Sequence, residues 1–264
     1  MSANPKGKAF ADLDKTWETL GSEDPLWAVY SEPGKEKRGW ETDPFFASGD
    51  PTAQTIQERL ESFGAERPSS STPKNLLDFG CGVGRMSRAW ANLGYHVTGV
   101  DISESMVGNA REFHKDDPRF EFRVNKEPDL GLFPDSSFDV VFSIICLQHI
   151  PWEIAQNYIR EFGRVLRPNG FIAFQLPSRL KDTQAIRRAE WRRRFIDGLP
   201  LGLGTLYRRV KYGRSVNFHV YYTPEETVIE TASTAPGIRF LDKDVDVSAG
   251  DPVESWFYFL TKSQ

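Results

Sequence analysis

The chain has 264 residues, 39% of them hydrophobic and 27% charged, with a formal net charge of −4. That length can bury a large core, and that charge balance excludes nucleic-acid binding driven by overall charge. The most apolar stretch, Val140 to Leu147, is far too short to span a bilayer. The first residues lack an apolar signal core, and two cysteines, Cys81 and Cys146, cannot make a disulfide framework. The expectation is a reduced, cytoplasmic protein with neither nucleic acid nor membrane as a partner.

Residues 1–67 are rich in aromatics, among them Trp17, Trp27, Trp40, Phe45 and Phe46. They hold one helix signal, over 50–64, with Asp50 as the expected N-cap, Pro51 in the first turn and Gly64 as the stop. The run ERPSSSTPK, 66–74, reads as a linker. From 75 to 176 strand-like and helix-like segments alternate. Strands are expected at 75–79, 95–101, 119–124, 138–147 and 170–176, and helices at 85–94, 103–115 and 151–166, the second capped by Ser103. Beyond 177 comes a basic segment, then a helix expected at 223–234 with Thr223 as cap and Pro224 in its first turn. Two further strands are expected at 238–247 and 254–262. Alternating strands and helices at this spacing predict an α/β fold with a doubly wound parallel sheet.

The stretch LLDFGCGVGRMSRAWANLGYHVTGVD, Leu76 to Asp101, is the most informative in the chain. A strand that breaks into Gly80, Gly82 and Gly84 and then enters a helix exposes bare backbone amides to a ligand. Asp101 ends the next strand, twenty-one positions after Gly80. An acid there can accept hydrogen bonds from both hydroxyls of a ribose. The G-x-G-x-G spacing differs from the G-x-G-x-x-G of dinucleotide sites, and Asp78 beside the loop would repel a pyrophosphate. An ammonium or sulfonium cation suits that acid. S-adenosylmethionine carries a ribose and both cations, and no phosphate.

The sequence resembles the class I S-adenosylmethionine-dependent methyltransferases of the small-molecule type over about Asn75 to Pro177. LLDFGCGVGR and VTGVDIS look like that family's first two motifs. FPDSSFDVVFSIICLQHI and REFGRVLRPNGFIAF look like its fourth-strand block and the helix–turn–strand that follows. The resemblance implies a Rossmann-like, seven-stranded, mostly parallel sheet with an N-terminal helical extension (1–67) before a methyltransferase domain (75–264). A basic insert at 178–222, before the last two strands, would be a possible substrate cover. The implied cofactor is S-adenosyl-L-methionine. Gly80, Cys81 and Gly82 would line its methionine part beside Asp78, Asp101 would hold the ribose, and Ile102 and Met106 would flank the adenine, with Ile145 on the fourth-strand side. A polar residue after the third strand meets the adenine edge in the family. Here Asn125, Asp129 and Leu130 are the candidates, and simple turn chemistry explains Asn125 and Asp129 as well. Cys81 reads as a small loop residue rather than a nucleophile.

His149 follows the strand expected to pass beneath the reacting methyl group. A neutral imidazole there can take a proton from a hydroxyl or amine. The other reading is that it orients the next loop. The sequence is similar here to ubiquinone-biosynthesis O-methyltransferases, where Glu-x-x-Glu-His makes a metal site. This chain has Ile145-Cys146-Leu147-Gln148-His149, lacks both acids, and no metal is expected.

From Arg179 to Arg214 the sequence places eleven basic against three acidic residues (Asp182, Glu190, Asp197), an excess of eight in a chain of net −4. Such a run is a solvated face, or it meets an anionic acceptor or partner. Trp40, Phe45 and Phe46 either pack their segment onto the sheet or form a lid. The expected activity is methyl transfer to an oxygen of a small metabolite or natural-product intermediate. The alternatives are an N-methyltransferase acting on a small molecule or protein, and an inactive cofactor-binding protein. The N-P-P-[YF] signature of flipped-base chemistry is absent, which argues against nucleic-acid substrates.

Overall fold

The computed structural model describes residues 5–69, 71–181, 183–212, 216, 218–248 and 253–264. Asp182 and Arg214 of the basic segment lie outside the described residues, as do the side chains of Glu190, Arg193 and Asp197.

Four helices come first: α1 (Pro5–Glu23), α2 (Pro25–Val29), α3 (Thr42–Ala47) and α4 (Asp50–Ser62). The alternating region follows as β1 (Asn75–Phe79), α5 (Arg85–Asn92), β2 (His96–Asp101), α6 (Glu104–Phe113), β3 (Phe120–Val124), β4 (Phe138–Ser143), α7 (Trp152–Val165) and β5 (Leu166–Leu180). The basic segment forms α8 (Thr183–Asp197) and α9 (Leu203–Tyr212), and the chain finishes with α10 (Glu225–Ser233), β6 (Ile238–Asp246) and β7 (Val253–Lys262). The strands make one seven-stranded sheet in the order β3-β2-β1-β4-β5-β7-β6, with β7 antiparallel to both neighbours. The doubly wound, mostly parallel sheet expected from the sequence is the sheet observed.

Pleating sends alternate residues to opposite faces. Leu76, Val140 and Phe142 pack with α4 and α5, against Ala53, Leu60 and Trp90. Leu77, Phe79 and Val141 pack with α7, against Tyr158, Ile159 and Phe162. Both faces are covered, which is why β4 reads as a continuous apolar run. The order reverses between β1 and β4, so the crevice at their carboxyl ends is where such a sheet holds a ligand.

Several local expectations are corrected. Asp50 is the first residue of α4 rather than its cap. Gly49 holds the cap position, where an added Cβ would stand 3.0 Å from the Arg85 carbonyl, and Asp50 instead accepts from Asn92 at 3.1 Å. Thr223 does not cap α10: Pro224 occupies that position, and the Thr223 amide donates to the Pro177 carbonyl at 3.0 Å. β4 stops at Ser143 rather than Leu147, because the chain turns through Ile145 at φ 54°. β5 runs longer than expected at both ends: Leu166 pairs with Phe138 of β4 at the start, and β7 pairs with it as far as Leu180 at the end. Ser103 caps α6 as expected, its hydroxyl accepting from the Met106 amide at 3.1 Å.

Candidate functional site

The glycine loop leaves β1 with Gly80 at φ 75°, a region that side chains rarely adopt. Space forbids a side chain there too: an added Cβ would fall inside the Cys146 sulfur. The Gly80 and Cys81 amides donate to the Val100 carbonyl at 2.8 and 3.0 Å, which ties the loop to the end of β2. Asp101 completes the tie. Its carboxylate accepts from the Gly82 amide at 2.9 Å and from the Ser103 amide at 3.0 Å. Burial pushes its carboxyl pKa up against these two amides. Each oxygen keeps a further lone pair for a hydroxyl.

Asp78 and Arg85 lie at the other end of the loop and are almost fully buried. Burial raises the Asp78 carboxyl to about 6, offset by a 2.6 Å hydrogen bond from the Ser87 hydroxyl and by the nearby Arg85 charge. Burial lowers the Arg85 pKa, and its guanidinium lies 4.7 Å from the Tyr30 ring centre. Arg85 Nε has no hydrogen-bond partner among the described residues. An orphaned buried donor facing a cavity is a place for an anionic ligand group. Cys81 and Cys146 are held as thiols by burial and by the charges of Asp101 and Asp78, so neither is poised as a nucleophile.

These residues line one cavity at the β1–β4 crevice. Of the expected site residues, the structure brings Asp78, Gly80, Cys81, Gly82, Asp101, Ile102, Met106, Asn125 and Ile145 to its wall. Asn125 is also a turn residue: its side-chain amide donates to the Asp129 carbonyl at 2.7 Å and its Oδ1 accepts from the Glu127 amide. Asp129 and Leu130 are not part of the wall. Asp129 closes its own turn through the Gly131 amide, and Leu130 is fully buried in the apolar core under α7.

The opposite wall belongs to Phe10, Leu13 and Trp17 of α1 and to Val29 of α2. Trp40, Phe45 and Phe46 meet edge to face in turn instead, Phe45 and Phe46 buried, and they do not line the cavity. The aromatic cover thus comes from α1. Sequence reasoning passed over Phe10, Leu13 and Arg85; the only signal for them was an amphipathic spacing in α1 and an arginine directly after the last glycine.

His149 lies outside this cavity. It lines an adjacent pocket with Thr16, Trp17, Phe218, His219 and Tyr221, and Trp17 is shared by the two. The imidazole packs against both Trp17 and Phe218, at 5.1 and 4.9 Å between ring centres, while those two rings stack on each other at 5.9 Å. Its Nδ1 is 2.6 Å from the His219 carbonyl, which can only accept, so Nδ1 carries the proton. Gln148 Nε2 donates to Nε2 at 3.2 Å. Gln148 accepts in turn from Gln175, which is held by Ser255 and by the Ile145 amide. Burial lowers the His149 pKa to about 4, so the ring is neutral at physiological pH.

Residues 77–174 match the family described as a methyltransferase domain. The chain is 39% identical over 98 residues to the 2-methyl-6-phytyl-1,4-hydroquinone methyltransferase of Synechocystis, a match covering 37% of this chain and 30% of that protein. It is 32% identical over 139 residues to a ubiquinone biosynthesis O-methyltransferase of Xanthomonas oryzae, covering 50% of this chain and 53% of the relative. The chain thus spans about a third to a half of the length of these relatives. The magnesium protoporphyrin IX methyltransferase of Synechocystis, solved with S-adenosylhomocysteine bound, shares the fold over 97% of this chain and 100% of its own, with a TM-score of 0.63 and 16% identical residues. Residues 77–174 thus carry a methyltransferase domain, set in the sheet whose fold this solved methyltransferase shares.

Proposed function

We propose that this protein transfers a methyl group from S-adenosylmethionine to an oxygen of a small acceptor. The observation that carries the reading is Asp101, whose carboxylate joins the glycine loop to the end of β2 and lines the crevice cavity. The residues present fit the cofactor. Asp101 would take the ribose hydroxyls, while Ile102, Met106 and Asn125 would flank the adenine. Asp78 would face the cationic end, and the orphaned Arg85 Nε offers a donor for the carboxylate. When bound, that group supplies an activated methyl, so the protein's part is to bind, orient and exclude water.

The pocket beyond Trp17 is the place for the acceptor. Its walls set the aromatic Trp17, His149 and Phe218 beside Asp12 and Thr16, and suit a flat molecule that carries polar groups. His149 is the base of this wall. It is neutral, its Nδ1 proton is fixed by the His219 carbonyl, and among the described residues its Nε2 meets the long contact from Gln148, which an acceptor hydroxyl can replace. The relative named as a ubiquinone biosynthesis O-methyltransferase supports an oxygen acceptor over an amine.

Calorimetric titration with S-adenosylhomocysteine and with NAD tests the cofactor assignment. Tight binding of the first and none of the second is expected. Asp101→Asn should weaken S-adenosylhomocysteine at least tenfold, since a hydrogen bond to a charged acceptor is worth about 1.5–3 kcal/mol. Stronger binding of NAD would end the reading.

A further inference from the structure

Among the described residues, the basic segment also holds six of the eleven large apolar side chains left exposed. Trp191 and Phe195 of α8 are 68% and 59% exposed, and α9 exposes Leu203, Leu206, Tyr207 and Val210. Large apolar side chains left in water at this density mark an interaction surface. The two helices pack on each other, with Gly204 of α9 so close to the Ile196 carbonyl of α8 that no side chain would fit. Arg209 pairs with Glu23 at the end of α1, 3.5 Å away. The hairpin is thereby held beside the cavity cover with its apolar side outward.

The order of residues around α8 says what this side meets. At about 100° per residue, Trp191 and Phe195 share one stripe and stack at 5.7 Å between ring centres. Arg187 and Arg194 fall on one flank of that stripe, and Arg188 and Arg192 fall on the other. All four arginines are exposed. On α9 the exposed Leu203, Leu206, Tyr207 and Val210 make a second apolar stripe, with Lys211 at its edge.

We propose that the α8–α9 hairpin seats this protein on the surface of an anionic lipid bilayer. Aromatic and aliphatic side chains would enter the boundary between headgroups and acyl chains, while the flanking arginines reach back to the lipid phosphates. The charge is complementary: an excess of eight positive charges in this segment, against a negative remainder, aims one face of the molecule at a negative surface. A second copy docked on the same face would set these arginines against their own equivalents. An acidic carrier protein would answer the arginines but not two apolar stripes on separate helices. No helix among the described residues is long and apolar enough to cross a membrane, so the contact is one of surface seating. It stands on the hairpin alone.

Co-sedimentation of the full chain with vesicles tests it without any acceptor or turnover. The protein should pellet with phosphatidylcholine vesicles containing one quarter phosphatidylglycerol, at least tenfold more tightly than with phosphatidylcholine alone. Raising salt to 0.5 M should weaken that binding severalfold, because surface charges are then screened. The double variants Trp191→Ala/Phe195→Ala and Arg188→Glu/Arg192→Glu should each lose tenfold or more. Their melting temperature and S-adenosylhomocysteine affinity should not change, since these side chains point into solvent. Failure of the native chain to pellet with the charged vesicles, or equal pelleting of native and variant chains, overturns the proposal. A dimer in solution that disperses in Trp191→Ala/Phe195→Ala, with no vesicle binding, would assign the face to a second copy. A complex with an acidic acyl carrier protein, again with no vesicle binding, would assign it to that partner. Either result overturns the bilayer.

Discussion

Ser103 donates its hydroxyl to the Glu18 carboxylate at 2.8 Å while accepting from the Met106 amide at 3.1 Å. One side chain therefore caps α6 and anchors α1 at once. Glu18 also accepts from the Ser105 amide at 3.1 Å and from the Ser105 hydroxyl. A carboxylate at the first turn of a helix is favoured by the free amides and the dipole there. This latch holds Phe10, Leu13 and Trp17 over the cavity, and Ser103 stands two positions after Asp101 of the cavity wall.

Glu18→Gln should loosen α1 without unfolding the sheet. A partly exposed latch of this kind is worth about 1 kcal/mol, so S-adenosylhomocysteine should bind about fivefold more weakly and amides of α1 should exchange faster. The native latch should also respond to acid. Burial raises the Glu18 pKa, but the hydrogen bonds from Ser105 and Ser103 outweigh it and leave the net shift downward. Its contribution is fully present above the unfolded carboxyl value of about 4.3 and is lost as pH falls through the lower folded value. Hydrogen exchange at pH 6 and below pH 4 checks this; an α1 equally protected in native and Glu18→Gln chains would remove the latch.

Asp78 should make cofactor affinity depend on pH. A carboxyl at about 6 is mostly protonated at pH 5 and mostly ionised at pH 7. Only the ionised form attracts a cationic ligand group, so S-adenosylmethionine should bind up to about tenfold more tightly at pH 7 than at pH 5. Asp78→Asn should flatten that profile and hold it near the weaker limit. Titrations at the two pH values decide it.

Gly80→Ala meets two obstacles, the left-handed backbone and the Cys146 sulfur. The backbone alone costs about 1–2 kcal/mol. For a domain of this size a loss of about 2 kcal/mol or more lowers Tm by roughly 4 °C or more. The pair Gly80→Ala/Cys146→Gly removes the collision with both the Cys146 sulfur and its Cβ but not the backbone strain, so measured against Cys146→Gly alone it should recover part of the loss. Full recovery in the double variant would mean that strain at this position is negligible.

His149→Ala should lower kcat by about a hundredfold or more once an acceptor is in hand, with S-adenosylhomocysteine affinity unchanged. Burial holds the native imidazole pKa near 4, so the ring stays neutral from pH 5 upward. The kcat profile should therefore show no acid limb near 6.5, where an ordinary histidine would titrate. A clear inflection there that disappears in His149→Ala would show an exposed imidazole instead of the buried one.

The local chemistry of this chain was legible from residue order alone. The Gly80–Gly84 turn, the acid at Asp101, the Ser103 cap and the alternation of strands and helices are consequences of backbone sterics and periodicity, which act over a few residues. They were enough to indicate the doubly wound sheet, and the family resemblance added eleven cofactor-site residues, of which nine line the cavity and Asp129 and Leu130 do not. What covers the cavity was decided by tertiary packing. Phe10, Leu13 and Trp17 have the spacing of any amphipathic helix, and contacts from distant elements, the Glu18–Ser103 latch among them, make them a wall. Arg85 is one arginine among many until burial strips its Nε of partners. His149 moves to the adjacent pocket because β4 ends early and the chain turns at Ile145, a backbone choice set by Gln175 reaching across from β5 to the Ile145 amide at 3.0 Å. Such contacts join residues far apart in the chain, and no local pattern carries them.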